Sequence, residues 1–225
     1  MNNLTTPYPR ICAHRGLSAL YPENTLASFA AAIEAGAQEI EFDLRPAIAG
    51  RWPAIAGRWP AGGGRIVVRH DPFILGVPRG LPTFEDVLAQ FARRVIMNIH
   101  VKAPEIVPDV VEAIARSGCR EYVYIAGNAA VMEAALALAP DIERCCLEGA
   151  KDNTIVKHAI RYKAQKLQGR PCITREMIAE AHAHGIRCNL FYTDDPEEAR
   201  GFFRMGIDTV LTNNCVRVLP VLNGL

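Results

Sequence analysis

From Arg10 onward, short apolar runs rich in β-forming residues alternate with longer stretches of helical period. This is the rhythm of parallel βα units. Nine runs read as strands: 10–14, 39–44, 66–70, 95–102, 121–125, 142–147, 164–168, 186–192 and 209–212. Helical patterns lie between them at 23–35, 83–91, 106–117, 130–138, 154–162, 175–184 and 196–205. Glycines 36, 118, 185 and 206 follow four of these, where a chain leaving a helix turns left-handed. No helical segment separates 39–44 from 66–70, so the latter is an accessory strand or a hairpin return, and the other eight build the sheet. The expected fold class is α/β, a TIM (β/α)₈ barrel in a single domain spanning 1–225. The tail from Val216 to Leu225 is brief for a last barrel helix, and closure by a partner subunit is one way to complete it.

One stretch breaks the rhythm. Residues 46–59 write Pro-Ala-Ile-Ala-Gly-Arg-Trp twice and continue as Pro-Ala-Gly-Gly-Gly to residue 64, holding both tryptophans, Trp52 and Trp59. An in-frame duplication that enlarges a surface loop explains it at little cost, because loop-closure entropy grows only logarithmically with length. A functional aromatic lid is the alternative.

Composition narrows the class. The chain has 225 residues, half of them hydrophobic, enough for one sizeable core. With 25 Lys and Arg against 24 Asp and Glu there is no global field to gather nucleic acid, and an anionic substrate must be held by local charge. No stretch reaches the length of a membrane span, and the N-terminus lacks the apolar core of a signal peptide. The seven cysteines form no C-x-x-C pair and sit mostly in apolar runs, reading as buried free thiols of a cytoplasmic protein.

Two strands carry chemistry on one face. In Glu39-Ile40-Glu41-Phe42-Asp43-Leu44 the apolar residues face one way and three carboxylates the other. Barrel packing sends the apolar set outward against helices and the carboxylates inward, where they need neutralising. Two carboxylates at i and i+2 converge as hard oxygen ligands do, so a divalent metal is the simplest neutraliser. The run 96–102 repeats the pattern with Asn98, His100 and Lys102 on one face. His100 is a satisfied core histidine or the completion of a Glu41, Asp43, His100 metal site. Lys102 is a phosphate anchor or a partner for the acidic pair. His14 and His70 each end a β-like run, the position of catalytic polar residues in parallel barrels, and two histidines suit proton removal and proton donation at neutral pH.

Taken in order, His14-Arg15-Gly16, Pro22-Glu23-Asn24-Thr25, Glu41-x-Asp43 and His70-Asp71 resemble the signature of the glycerophosphodiester phosphodiesterase family. The resemblance implies a TIM barrel with its site at the C-terminal mouth. It implies hydrolysis of small-molecule glycerophosphodiesters to sn-glycerol 3-phosphate and an alcohol, with a divalent metal ion, Mg²⁺ or Ca²⁺. It makes His14 and His70 the acid and base, places the metal on Glu41 and Asp43, and sets Arg15 and Lys102 on the phosphate. Phe191, in Asn189-Leu190-Phe191-Tyr192-Thr193, stands where the family often has a tryptophan that walls the substrate. Glu23 is a further candidate for substrate contact, whereas Asn24 and Thr25 are expected to cap the first helix.

Departures are specific. His100 replaces the family's third carboxylate, which tilts the metal toward Mn²⁺, Mg²⁺ or Zn²⁺. Only Pro72 to Pro82 follows the His-Asp motif, and the last strand ends Thr212-Asn213 rather than Thr-Asp. Glu148 is a candidate for a substrate hydroxyl, while Asp194-Asp195-Pro196 reads as a helix start and His182 and His184 as helix-end charges. Competing functions are headgroup cleavage of lysophospholipids or sphingolipids on the same barrel, a metal-dependent sugar isomerase or aldolase, and a non-catalytic barrel that binds a phosphorylated ligand.

Overall fold

A computed structural model describes residues 7–47, 66–72 and 80–225. The strands are β1 (Arg10–His14), β2 (Glu39–Pro46), β3 (Ile66–Val68), β4 (Ile96–Val101), β5 (Val123–Gly127), β6 (Glu143–Cys146), β7 (Lys166–Gly169), β8 (Arg187–Leu190) and β9 (Thr209–Thr212). Eight of them pair in parallel, β1-β2-β4-β5-β6-β7-β8-β9, and β9 returns to β1, closing a (β/α)₈ barrel. Closure pairs each of these eight strands on both sides. β3 is the hairpin return: it runs antiparallel on the C-terminal end of β2, with Leu44 opposite Val68 and Pro46 opposite Ile66. The repeat and both tryptophans lie outside the described residues.

The helices are α1 (Leu26–Glu34), α2 (Phe84–Phe91), α3 (Val107–Ser117), α4 (Ala129–Leu138), α5 (Ile155–Arg161), α6 (Arg175–Ala183), α7 (Pro196–Met205) and the single turn α8 (Cys215–Val218). Glycines 36, 118, 185 and 206 all have positive φ, as the sequence pattern requires. The tail completes the ring within its own chain: α8 and a following 3₁₀ turn bury Cys215, Val218 and Val221.

Period-2 alternation sorts the two sides of each strand. Outward residues of β2 pack on helices, Phe42 lying 5.5 Å from Phe29 of α1 and 6.2 Å from Phe84 of α2, ring to ring. Complete burial of each such ring is worth about 1.5–3 kcal/mol. The inward side is mixed. A small apolar cluster of Ile96, Tyr124, Ala126 and Cys145 lies among buried polar residues. Of the cysteines six are buried, but Cys172, expected to be buried as well, is exposed because it sits in the turn after β7 rather than in a strand.

Candidate active site

Strand register assembles the site. β1 sets His14 opposite Glu41 of β2, and β4 sets His100 opposite Asp43. All four side chains point inward toward the C-terminal end of the barrel. The third carboxylate, Glu39, lies a step deeper and is satisfied separately: Arg10 Nη1 is 3.2 Å from Oε1 and the Tyr124 hydroxyl donates to Oε2 at 2.6 Å. Glu41 and Asp43 are 2 % and 1 % exposed.

Asp43 is crowded by positive charge. Lys102 Nζ lies 2.8 Å and His100 Nδ1 3.2 Å from its Oδ1, and Arg15 Nε is 3.4 Å from Oδ2. Burial alone would raise its pKa, but the His100 hydrogen bond and the Lys102 charge outweigh it and hold the carboxyl well below its ordinary range. Burial likewise works against a charged His100, yet the Asp43 carboxylate 3.2 Å from Nδ1 and the neighbouring Glu41 carboxylate raise its pKa. Lys102 Nζ lies 3.0 Å from the same Nδ1, so both groups converge on one carboxylate oxygen.

That convergence tests the site for a metal. The Lys102 ammonium and the His100 ring meet at Asp43 Oδ1, the place a hard cation would take. Ligand atoms of Glu41, Asp43 and His100 lie within 4.8 Å of one another, while Glu41 Oε1 meets His100 only at 3.7 Å, beyond a hydrogen bond. Two hard oxygens and one imidazole around that space fit a divalent cation. A second such grouping, His182, Cys188 and Asp208, is already engaged: Asp208 pairs with His182 at 2.8 Å and Arg187 at 2.9 Å and accepts the Cys188 amide at 2.7 Å.

The turn after β1 holds the next group. Arg15 and Gly16 have φ of 57° and 80°, which aims the Arg15 amide at Glu41 Oε2, 3.1 Å away. A Cβ on Gly16 would fall onto the Ser28 side chain and within 2.6 Å of its carbonyl carbon, so this close approach needs glycine. Arg15 Nη1 binds Glu23 at 2.8 Å, and that bond raises the guanidinium pKa against the opposing effect of burial. Glu23 therefore touches Arg15.

Asn24 departs from the expected cap. Thr25 is the N-cap of α1, in a reciprocal pair with Ser28. Asn24 has φ 58°, is buried, and grips Asp43 twice: Nδ2 donates to Oδ2 at 3.1 Å, and the Asp43 amide donates to Asn24 Oδ1 at 3.3 Å. The left-handed backbone at Asn24 also starts the helix at Leu26, three residues later than the pattern suggests.

A cavity of about 550 Å³ opens above these residues, lined by His70, His100, Lys102, Gln168, Arg170 and Phe191 among others. His70 reaches it from the return strand. Arg69 N donates to the Asp43 carbonyl at 2.9 Å, Arg45 Nε donates to the His70 carbonyl at 2.6 Å, and His70 Nδ1 bonds Asp71 at 2.8 Å. His14 stands apart from that wall, buried beneath Phe191 and Tyr192 with ring centroids at 5.0 and 5.3 Å. Its Nδ1 meets Asn213 Oδ1 at 2.7 Å and its Nε2 lies 3.9 Å from Glu41 Oε2. Glu148 lines the cavity too, while its Oε2 accepts the Ala129 amide at the start of α4.

Residues 14–46, which hold His14, Arg15, Glu23, Asn24, Glu41 and Asp43, match the model of the glycerophosphoryl diester phosphodiesterase family. Over this stretch the chain is similar to that family. Uncharacterized protein YqiK of Bacillus subtilis is 26% identical over 236 residues, which cover 91% of this chain and 94% of that protein. Solved structures share the fold at lower identity. An Oleispira antarctica phosphodiesterase in complex with the product sn-glycerol-3-phosphate superposes with a TM-score of 0.82 at 19% identity, covering 96% of this chain and 98% of the other. A glycerophosphodiester phosphodiesterase from Agrobacterium tumefaciens gives 0.78 at 18% identity, covering 96% and 100%. One from Thermotoga maritima gives 0.73 at 22%, covering 94% and 97%. No helix among the described residues is long and apolar enough to cross a membrane.

Proposed function

We propose that the protein hydrolyses glycerophosphodiesters to sn-glycerol 3-phosphate and an alcohol, with a divalent metal ion held by Glu41, Asp43 and His100 and proton transfer by His14 and His70. The observation that carries this reading is the convergence of two buried carboxylates and one imidazole at 4.8 Å or closer, next to a cavity that also presents a second histidine and Lys102. The family match and the product bound to the Oleispira antarctica relative support the same substrate class.

The metal, when bound, supplies Lewis acidity toward a phosphoryl oxygen. The chain supplies the rest. Arg15, fixed by Glu23, would offer its fork to the phosphoryl group, and Lys102, on a flexible stem beside Asp43, would offer its ammonium. One histidine removes a proton from the nucleophile, water or the substrate's neighbouring hydroxyl, and the other protonates the departing alcohol oxygen. Phe191 forms an apolar wall of the substrate cavity. With an imidazole as third ligand the site prefers Mn²⁺, Mg²⁺ or Zn²⁺ to Ca²⁺. We read residues 46–64 as an insertion in the loop between β2 and β3 of a single domain. The free thiols, with no disulfide, support a cytoplasmic setting.

The test is release of sn-glycerol 3-phosphate from glycerophosphocholine and glycerophosphoethanolamine with each of these metals and with EDTA. Metal-dependent release is expected. Silence under every metal, with bis(p-nitrophenyl) phosphate also untouched, would overturn the proposal.

A further inference from the structure

Asn213 follows β9 and its side-chain oxygen is the acceptor nearest His14 Nδ1, at 2.7 Å. An amide can present either its oxygen or its nitrogen, so the proton on His14 depends on which end faces the ring. Asp194 decides it. Asp194 Oδ2 accepts from Asn213 Nδ2 at 2.9 Å, and an ionised carboxylate accepts only. The Ser18 hydroxyl, 3.2 Å from Asn213 Oδ1, gives its one proton to the His14 carbonyl at 2.8 Å and leaves the amide's orientation to Asp194. Asp194 is itself held by the turn it spans: its Oδ1 accepts from Thr212 Oγ1 and the Asn213 amide, both at 2.7 Å, and from the Asn214 amide at 3.3 Å. These bonds favour the ionised form of Asp194 over the opposing effect of burial. The His14 ring cannot swing away, because Tyr192 stacks on one face and Phe191 meets it edge-on.

We propose that Asp194 and Asn213 are positioning residues that lock His14 in the tautomer protonated at Nδ1, so that the bare Nε2 faces Glu41 and the metal site. The chain of command runs from a carboxylate through an amide to an imidazole. Asp194 fixes the polarity of the amide, the amide takes the Nδ1 proton, and Nε2 is left as the working nitrogen. For catalysis this rests on the proposed role of His14 in proton transfer; for the tautomer it stands on the hydrogen bonds alone.

Asp194→Asn reverses the polarity. The new amide keeps its oxygen on Thr212 and the two backbone amides and turns its NH₂ toward Asn213, which rotates and presents its own NH₂ to His14 Nδ1. The ring then protonates at Nε2 instead. The double variant Asp194→Asn with Asn213→Asp restores every bond: the residue-194 NH₂ donates to the new carboxylate, and that carboxylate accepts the His14 Nδ1 proton.

The experiment is ¹H–¹⁵N long-range NMR of histidine-labelled protein under alkaline conditions, alongside kcat and KM of the three forms. The proposal expects a protonated Nδ1 in the wild type, a protonated Nε2 in Asp194→Asn with kcat down roughly 10²-fold and KM little changed, and return of both tautomer and kcat in the swapped pair. A wild-type ring with a bare Nδ1, or an Asp194→Asn variant that keeps tautomer and rate, overturns it. If Asp194→Asn does not fold, the wild-type spectrum and the swapped pair decide. A wild type that turns over no phosphodiester would defeat the functional reading and leave the tautomer result standing.

Discussion

Asn24 is the residue whose removal most cleanly separates holding the chain from holding Asp43, the proposed metal ligand. Its left-handed φ of 58° is tolerated by Asn but costs alanine on the order of 1 kcal/mol. Of its two bonds to Asp43 one accepts the backbone amide and the other donates to the buried carboxylate, for which a lost charge-assisted hydrogen bond costs about 1.5–3 kcal/mol. Asn24→Ala should therefore lose about 3 kcal/mol, a fall in melting midpoint of roughly 6–12 °C for a domain of this size. Asn24→Gly keeps the backbone conformation and should lose about 2 kcal/mol, chiefly the side-chain bonds. Both variants free Asp43 to rotate, and loss of such an outer partner typically weakens metal binding about 10–100-fold. Chemical denaturation gives the first quantity and titration with Mn²⁺ the second. A wild-type metal affinity in Asn24→Gly would refute the argument that Asn24 sets the ligand geometry.

Further outcomes follow from the same geometry. Gly16→Ala forces a Cβ into Ser28 at a positive φ and should destabilise by about 3 kcal/mol, measured by thermal melting; an unchanged midpoint contradicts the close approach. Burial raises Cys146 and Cys215 to about 11 and Cys188 to about 12, and Cys172 alone is exposed. A thiol reagent at neutral pH should thus label one cysteine per folded chain and all seven in denaturant, and a second fast-reacting thiol would contradict the packing. His100 has its pKa raised above the usual value of about 6.5 by Asp43 and Glu41, and a metal takes the neutral ring. Metal binding should therefore release a proton at pH below that raised value and strengthen as pH rises through it. Calorimetry in buffers of different ionisation enthalpy checks this, and binding with no proton release removes His100 from the ligand set.

The parts of this molecule legible in the sequence are those written in short-range periods. Alternation over 39–44 and 96–102 marks which side chains enter the barrel, and strand register then brings Glu41, Asp43, His14 and His100 together. The absence of a helix before residues 66–70 foretells the hairpin return. What stays hidden depends on contacts far apart in sequence or on one backbone angle. Asn24 looks like a helix cap until its left-handed turn aims it at Asp43, 19 residues away. Asp194 belongs to an Asp-Asp-Pro helix start, and Asp195 does cap α7, which masks its neighbour's attachment to Asn213. Asn213 reaches across 199 residues to His14. Cys172 looks like its buried siblings because a turn three residues past the end of β7 leaves no periodic mark.

The central claim, phosphodiester hydrolysis by two histidines beside a metal on Glu41 and Asp43, is tested most directly by one side-by-side measurement. Sn-glycerol 3-phosphate release from a glycerophosphodiester is followed for the wild type, His14→Ala, His70→Ala and Asp43→Asn with Mn²⁺ at saturation and with EDTA. The account predicts turnover by the wild type that EDTA abolishes, a loss of roughly 10²-fold or more in each histidine variant with metal still bound, and loss of metal binding in Asp43→Asn. Turnover that survives EDTA, or that persists in both histidine variants, would contradict it.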